Sequence, residues 1–174
     1  YYSDNLGDGI ICENVKYILS TAFPDAEIDI ADVMGLTSFN DKSQQVIFPP
    51  INKQSKILKL DNWLNAKNGR GLGYFYERLV YQKWKYKRKE GLSNIKQFLN
   101  KKYDLVVFAG GQLLYEPFVI PIERYVEILV ENGTPIIFNG CGIGSFNNSY
   151  ILSRFNRILR FPNIKSISAR DHID

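Results

Sequence analysis

Apolar and polar positions along the chain alternate between two rhythms, one of helices and one of buried strands. Over residues 10–21, Ile10, Ile11, Val15, Ile18 and Leu19 fall at helical spacing, and Pro24 lies just beyond the end. Residues 26–30 set Ile28 and Ile30 against Glu27 and Asp29, the alternation of a short strand near a sheet edge. Residues 45–48 read as another, stopped by Pro49-Pro50. From 55 to 101 the pattern is helical, in pieces separated by Asn68-Gly69, Gly71, Gly73 and Gly91, and predicts a helical insert.

The carboxyl-terminal half changes character. Residues 105–109 are a continuous apolar run ending in Gly110-Gly111, the profile of a strand buried on both faces. A helix over 121–132 follows, opened by Pro121 and terminated by Gly133. Residues 135–139 repeat the strand signature and break at Gly140, and 149–161 predict a helix with Ile151, Leu152, Phe155, Ile158 and Leu159 inward. The alternation over 164–169 supplies a last strand. Strands alternating with helices make βαβ units, so the expected fold is α/β, a doubly wound, mostly parallel sheet with helices on both faces.

Length and composition narrow the class without changing this picture. A chain of 174 residues, 45% hydrophobic and 23% charged, has the make-up of one ordinary globular domain. Cys12 and Cys141 cannot form a disulfide scaffold and lack zinc-ligand spacing, so they read as small buried residues in a reducing cytoplasm. No apolar run has the length to span a bilayer. A net charge of +4 admits anionic ligands without calling for nucleic acid, and no nucleic-acid-binding motif is present. The chain opens at Tyr1-Tyr2 directly against a turn-like stretch and stops soon after a strand, so it reads as an amino-terminal fragment, residues 1–174 forming a single α/β domain.

In open α/β sheets, ligands bind beyond the carboxyl ends of the strands. Four unusual loops fall there: 3–9, Gly110-Gly111-Gln112, Gly140-Cys141-Gly142-Ile143-Gly144, and Arg170-Asp171. Glycines let a backbone approach a ligand or adopt positive φ, and Asn5, Asp8, Gln112, Arg170 and Asp171 are the polar groups these loops carry. Any one loop is a tight turn first. Together on one sheet edge they point to a shared ligand site. Gly140 to Gly144 does not make a dinucleotide fingerprint, because it follows a late strand and has Asn163-Ile164-Lys165 where the acidic residue belongs. GxxxxGK[ST], HExxH and GxSxG are absent, so no metal or cofactor is expected.

The ordered set Asn5-Leu6-Gly7-Asp8, Asp104-Leu105-Val106-Val107-Phe108-Ala109-Gly110-Gly111, Gly140-Cys141-Gly142-Ile143-Gly144 and Ser166-Ile167-Ser168-Ala169-Arg170-Asp171 resembles the polysaccharide pyruvyl transferase family. The resemblance implies the amino-terminal, Rossmann-like half of a glycosyltransferase-B-type protein whose second domain is absent from this chain. It implies cytoplasmic transfer of a pyruvyl group from phosphoenolpyruvate to a sugar of a cell-surface polysaccharide or its lipid-linked precursor, forming a ketal. The family often has a third glycine where Gln112 stands, and its catalytic histidine, expected in the second domain, has no counterpart here; His172 reads as an exposed loop residue.

Within that reading, Arg170 pairs with the carboxylate or phosphate of the donor and Asp8 orients or deprotonates a sugar hydroxyl. Asn5, Gly7, Gly110, Gly111, Gln112, Gly140, Gly142, Gly144 and Asp171 are the substrate-binding candidates. The plain alternatives are an ion pair of Arg170 with Asp171 or Asp174, and helix capping by Asn5 and Asp8. A nucleotide-sugar glycosyltransferase of the same architecture and a non-catalytic sugar- or membrane-binding module are the competing functions. Residues 81–89, Tyr-Gln-Lys-Trp-Lys-Tyr-Lys-Arg-Lys, suit peripheral contact with anionic lipid or an acidic glycan, although a solvated helix end with dipole-favoured cations accounts for them more simply.

Overall fold

A computed structural model describes residues 6–38 and 72–170. Its elements run α1 (Leu6–Ala22), α2 (Leu72–Lys87), α3 (Lys89–Phe98), β1 (Val106–Ala109), a 3-10 turn (Glu116–Phe118), α4 (Val119–Glu131), β2 (Ile136–Cys141), α5 (Ser149–Ile158) and β3 (Ile164–Ala169). The strands form a parallel sheet in the order β1-β2-β3, with α4 and α5 as the crossovers. This is the expected α/β arrangement, over three strands.

The sheet is built on aromatic register. Phe108 of β1 lies opposite Phe138 of β2, and the rings stack at 4.6 Å and 7°. Tyr125 of α4 meets Phe108 edge-on at 5.6 Å, the arrangement that sets a positive ring edge against a negative face. Ile136 and Phe138 are fully buried, with Val119, Ile122, Val126 and Leu129 of α4 and Ile151, Phe155 and Ile158 of α5 in the same core. Helix α4 packs on α3 and α5, and α5 on α2. Pro121 sits in the first turn of α4, where its missing N–H costs no helical bond, and Gly133 ends the helix at φ 71°.

Several expectations are corrected. Residues 26–30 are not a strand: among the described residues this segment joins no ladder, and it is held by side chains, Asp29 to Lys101 and to the Tyr103 hydroxyl. Leu6 to Gly9, read as loop, are the first turn of α1. Leu152 points outward, because Ile151, Phe155 and Ile158 complete the inward stripe of α5 at spacings of four and three. Gly91 does not interrupt a helix; it lies within α3, where a Cβ on Gly35 would come within 2.2 Å of its carbonyl oxygen. The described part of the helical insert contributes Tyr81, Ile95 and Leu99 to the core. Of the basic and aromatic stretch 81–89, Tyr81 is buried and Trp84 packs against the core, so these two do not face outward. No residue of α1 is fully buried, so the close-packed helical layer among the described residues is the one formed by α2 to α5. The expected strand at 45–48 and the start of the helical insert lie outside the described residues.

Candidate functional site

The carboxyl ends of the three strands are tied together by backbone bonds that continue past the sheet. Gly110 and Gly111 follow β1 at φ 48° and 66°, values that favour glycine. The Gly142 N–H donates to the Gly111 carbonyl at 2.7 Å, the Leu114 N–H to that of Gly142 at 3.1 Å, and the Gly144 N–H to that of Leu114 at 3.2 Å. Leu114 and Ile143 thus form a parallel bridge that zips the loops after β1 and β2. The Arg170 N–H donates to the Cys141 carbonyl at 3.2 Å, carrying β3 one residue further along the same edge.

Helix α1 crosses this edge. A Cβ placed on Gly110 would lie 2.3 Å from Ile11 Cγ2, and one on Gly111 would lie 3.4 Å from Asp8 Oδ1. Those contacts bring Asp8, Gly110, Gly111, Gly142 and Arg170, chosen from distant parts of the sequence, to a single corner of the molecule. Gly7 sits in the same first turn of α1, and the exposed Gln112 follows the glycine pair. Asn5 and Asp171 lie outside the described residues, as do His172 and Asp174.

Not every candidate glycine is open to a ligand. The N–H and carbonyl of Gly142 are both engaged by the neighbouring loop. At Gly144 a Cβ would come within 2.5 Å of Tyr115 Cβ, so packing alone asks for glycine there. Gly140 has φ 61°, and its N–H turns to the Ser168 side chain, Oγ at 2.7 Å, in place of a ladder carbonyl; the β2–β3 register shifts at this point. By contrast, the N–H groups of Gly111 and Gln112 make no hydrogen bond among the described residues. Successive N–H groups on a turn with positive φ are an arrangement that can receive an anion.

The start of α5 is closed. Glu116 Oε2 accepts from the N–H groups of Asn147 at 2.6 Å and Asn148 at 3.2 Å. Glu77 Oε2 accepts from Tyr150 N at 3.0 Å and Ser149 Oγ at 2.6 Å, and Asn148 Oδ1 caps Ile151 N at 2.9 Å. The glycine loop after β2 therefore leads to a helix terminus already satisfied by the protein's own carboxylates, unlike the open terminus of a dinucleotide site.

Two polar residues at this edge were not singled out from the sequence. Asn139 is exposed beside the buried Phe138, so alternation along β2 turns it away from the core, and it pairs in register with Ala109. Ser168 holds the Gly140 amide. The available signal was Asn139 itself, a residue disfavoured in strands, inside an otherwise apolar run. Cys141 is no nucleophile: it is fully buried, its Sγ lies 3.8 Å from the Phe108 carbonyl, and burial pushes its thiol up to about 11. Among the described residues no cluster of His, Cys, Asp or Glu could hold a metal ion.

The model of the polysaccharide pyruvyl transferase family matches residues 5–173. The chain belongs to this family. The family match embraces all four motifs that converge on the sheet edge, from Asn5 to Asp171. No curated protein and no solved structure gives a match. Membership in a polysaccharide pyruvyl transferase family makes the chain transferase-like with a saccharide as acceptor. No described helix is long and apolar enough to cross a membrane.

Proposed function

We propose that the convergent corner is the donor site of a transferase that moves a pyruvyl group from phosphoenolpyruvate to a sugar, closing a ketal across two hydroxyls. The single observation that carries this reading is the meeting of Asp8, the Gly110-Gly111 turn and the Arg170 backbone at one sheet edge. The reading assigns the Arg170 guanidinium to the donor's carboxylate or phosphate, and the N–H groups of the glycine turn to the same anion.

The donor's methylene carbon takes up a proton, the two sugar oxygens bond to the adjacent carbon, the bond from that carbon to the phosphate oxygen breaks, and phosphate leaves with a proton. Both hydroxyl protons are released. Asp8 accepts one of them, while Arg170 neutralises the charge that gathers on the departing phosphate. Asn5, Gln112 and Asp171 orient the two substrates, and Asn139 with Ser168 extends the polar rim on the acceptor side. The general acid for the methylene carbon belongs to a second domain, of which this chain forms the Rossmann-like partner in a glycosyltransferase-B-type pair. Phosphoenolpyruvate is made in the cytoplasm, which places the reaction there, on a cell-surface polysaccharide or its lipid-linked precursor.

The test uses the full-length protein. Phosphoenolpyruvate raises its thermal midpoint and slows labelling or proteolysis of the Gly110 and Arg170 segments, and Arg170→Gln lowers kcat/KM by about two to three orders of magnitude, the cost of one lost oxyanion partner. Stabilisation by nucleoside diphosphates in place of phosphoenolpyruvate would instead identify a nucleotide-sugar glycosyltransferase.

A further inference from the structure

Helix α2 has two faces of opposite character. Its inner face carries buried Tyr81, then Trp84 against the core, and Arg88, just past its end, sets its guanidinium 5.9 Å above the Trp84 ring. Glu77 is spent on the start of α5. On the outer face Phe75, Leu79 and Tyr86 are 57%, 51% and 79% exposed, at spacings of four and seven residues that keep them on one stripe. Exposed Arg78, Lys83, Lys87 and Lys89 accompany them, and no acidic residue occurs between Glu77 and Glu90.

We infer that this outer face of α2 is a peripheral docking surface for an anionic lipid bilayer, with Phe75, Leu79 and Tyr86 entering the headgroup region and the lysines pairing with lipid charge. Charge complementarity selects this occupant. Protein-binding patches are depleted in lysine at their centres, whereas an aromatic and aliphatic stripe among lysines is the composition of an interfacial helix. Long lysine stems lie along apolar surface while their ammonium groups reach the phosphates. At 16 residues and with its lysines, α2 lies on a membrane rather than through it. The contact does not depend on the proposed reaction, although it would bring the corner at Asp8 and Arg170 near a lipid-linked acceptor.

Co-sedimentation of the full-length protein with vesicles tests this directly. The protein is retained by phosphatidylcholine vesicles that contain phosphatidylserine, not by phosphatidylcholine alone, and release follows rising salt. The pair Lys83→Glu and Lys87→Glu lowers partitioning by at least about 25-fold, taking about fivefold for each cation lost near an anionic leaflet. Phe75→Ser with Leu79→Ser weakens vesicle binding but leaves binding to a soluble polyanion such as heparin unchanged. All these positions are exposed, so unchanged thermal midpoints confirm folding, and turnover of a soluble acceptor reports separately on the transferase reading. No retention on phosphatidylserine, retention that ignores both variant pairs, or heparin binding that outcompetes vesicles and accounts for all retention overturns the inference.

Discussion

Helices α1 and α4 both carry isoleucine, leucine and valine at helical spacing, yet every turn of α4 has fully buried residues and α1 has none. The difference lies in their neighbours. Helix α4 is packed between α3 and α5 and rests on the sheet through Tyr125 against Phe108, so its apolar side chains enter the common core. Helix α1 meets the end of β1, with Ile11, Val15 and Leu19 half-buried and Ile10 and Ile18 exposed. The proposed site thus joins a glycine-turned edge tied by backbone bonds to a lightly held helix that brings Asp8 near it. Elements with few buried contacts open at lower free energy than the core, and ligand-responsive parts of proteins are drawn from that class.

The two cysteines report on these regions separately and should show the largest contrast. Cys12 lies half-buried in α1, and Cys141 is fully buried in β2. Burial raises both thiols, Cys141 up to about 11 from an ordinary 9.0. Labelling of Cys141 at neutral pH requires opening of the sheet, so it should run at least about a thousandfold slower than labelling of Cys12, which needs only local fraying of α1. The same shift has a sign: the folded state holds the Cys141 proton more tightly than the unfolded state, so this contribution is intact below pH 9.0 and is lost as pH rises through about 11. Equal labelling rates would mean that α1 and the sheet open as one unit.

Next in size is the polar knot beneath α4. The Glu123 carboxylate, 2% exposed, accepts from the Tyr81 hydroxyl and Arg154, and from Arg157 at 3.2 Å, joining α4 to α2 and α5. Burial, then the bond to Glu123, raises the Tyr81 hydroxyl pKa and keeps it a donor. Glu123→Ala strands a half-buried guanidinium and should cost about 3–5 kcal/mol in denaturant unfolding. Ile18→Ala on α1, an exposed position, should stay within about 0.5 kcal/mol. A cost below that of Ile18→Ala at Glu123 would show that the knot is not a structural link.

A smaller effect joins the two regions. Gly110→Ala brings a methyl group against Ile11 at a backbone φ of 48°, for about 1–3 kcal/mol. Ile11→Ala in the same chain should return the steric part and leave the conformational part, a coupling of about 0.5–3 kcal/mol. Simple additivity would place α1 elsewhere. Because Asp8 precedes Ile11 by three residues, the single variant should also lose activity that the double variant partly regains.

The strands over 105–109, 135–139 and 164–169 were legible because parallel strands that feed helical crossovers carry near-continuous or cleanly alternating apolar runs. The glycine corners were legible for the same reason: each terminates such a run. Segment 26–30 misled because alternation of Ile28 and Ile30 with two acids matches a strand, but pairing is decided by tertiary neighbours, here Lys101 and Tyr103. Glu123 could not have been found by pattern; it occupies an inward position of an apolar helix, and its partners lie 31 and 42 residues away. The closed start of α5 likewise rests on Glu77 and Glu116, whose reach no local spacing reveals.

The smallest expected effect concerns how segment 26–30 stays in place without a ladder. The bond from Lys101 holds the Asp29 carboxyl below its ordinary value and raises the lysine, so each partner favours the other's charged form. For Asp29 the contribution to folding is present above the unfolded carboxylate value and is lost as pH falls through the depressed one; for Lys101 it is present below the unfolded ammonium value and is lost as pH rises through the elevated one. Both groups are well solvated, so the pair contributes little to global stability and its loss appears locally. Hydrogen exchange of residues 23–38 should therefore show a plateau of protection with two edges, one acidic and one strongly alkaline, while residues 119–131 show neither edge from this cause. Lys101→Gln should remove the lysine's alkaline edge, weaken the acidic one, lower the plateau, and leave the Tyr103 contact as the remaining tether. A plateau that survives this substitution unchanged would assign the tether to the Tyr103 hydroxyl alone, which still donates to Asp29 at 3.1 Å.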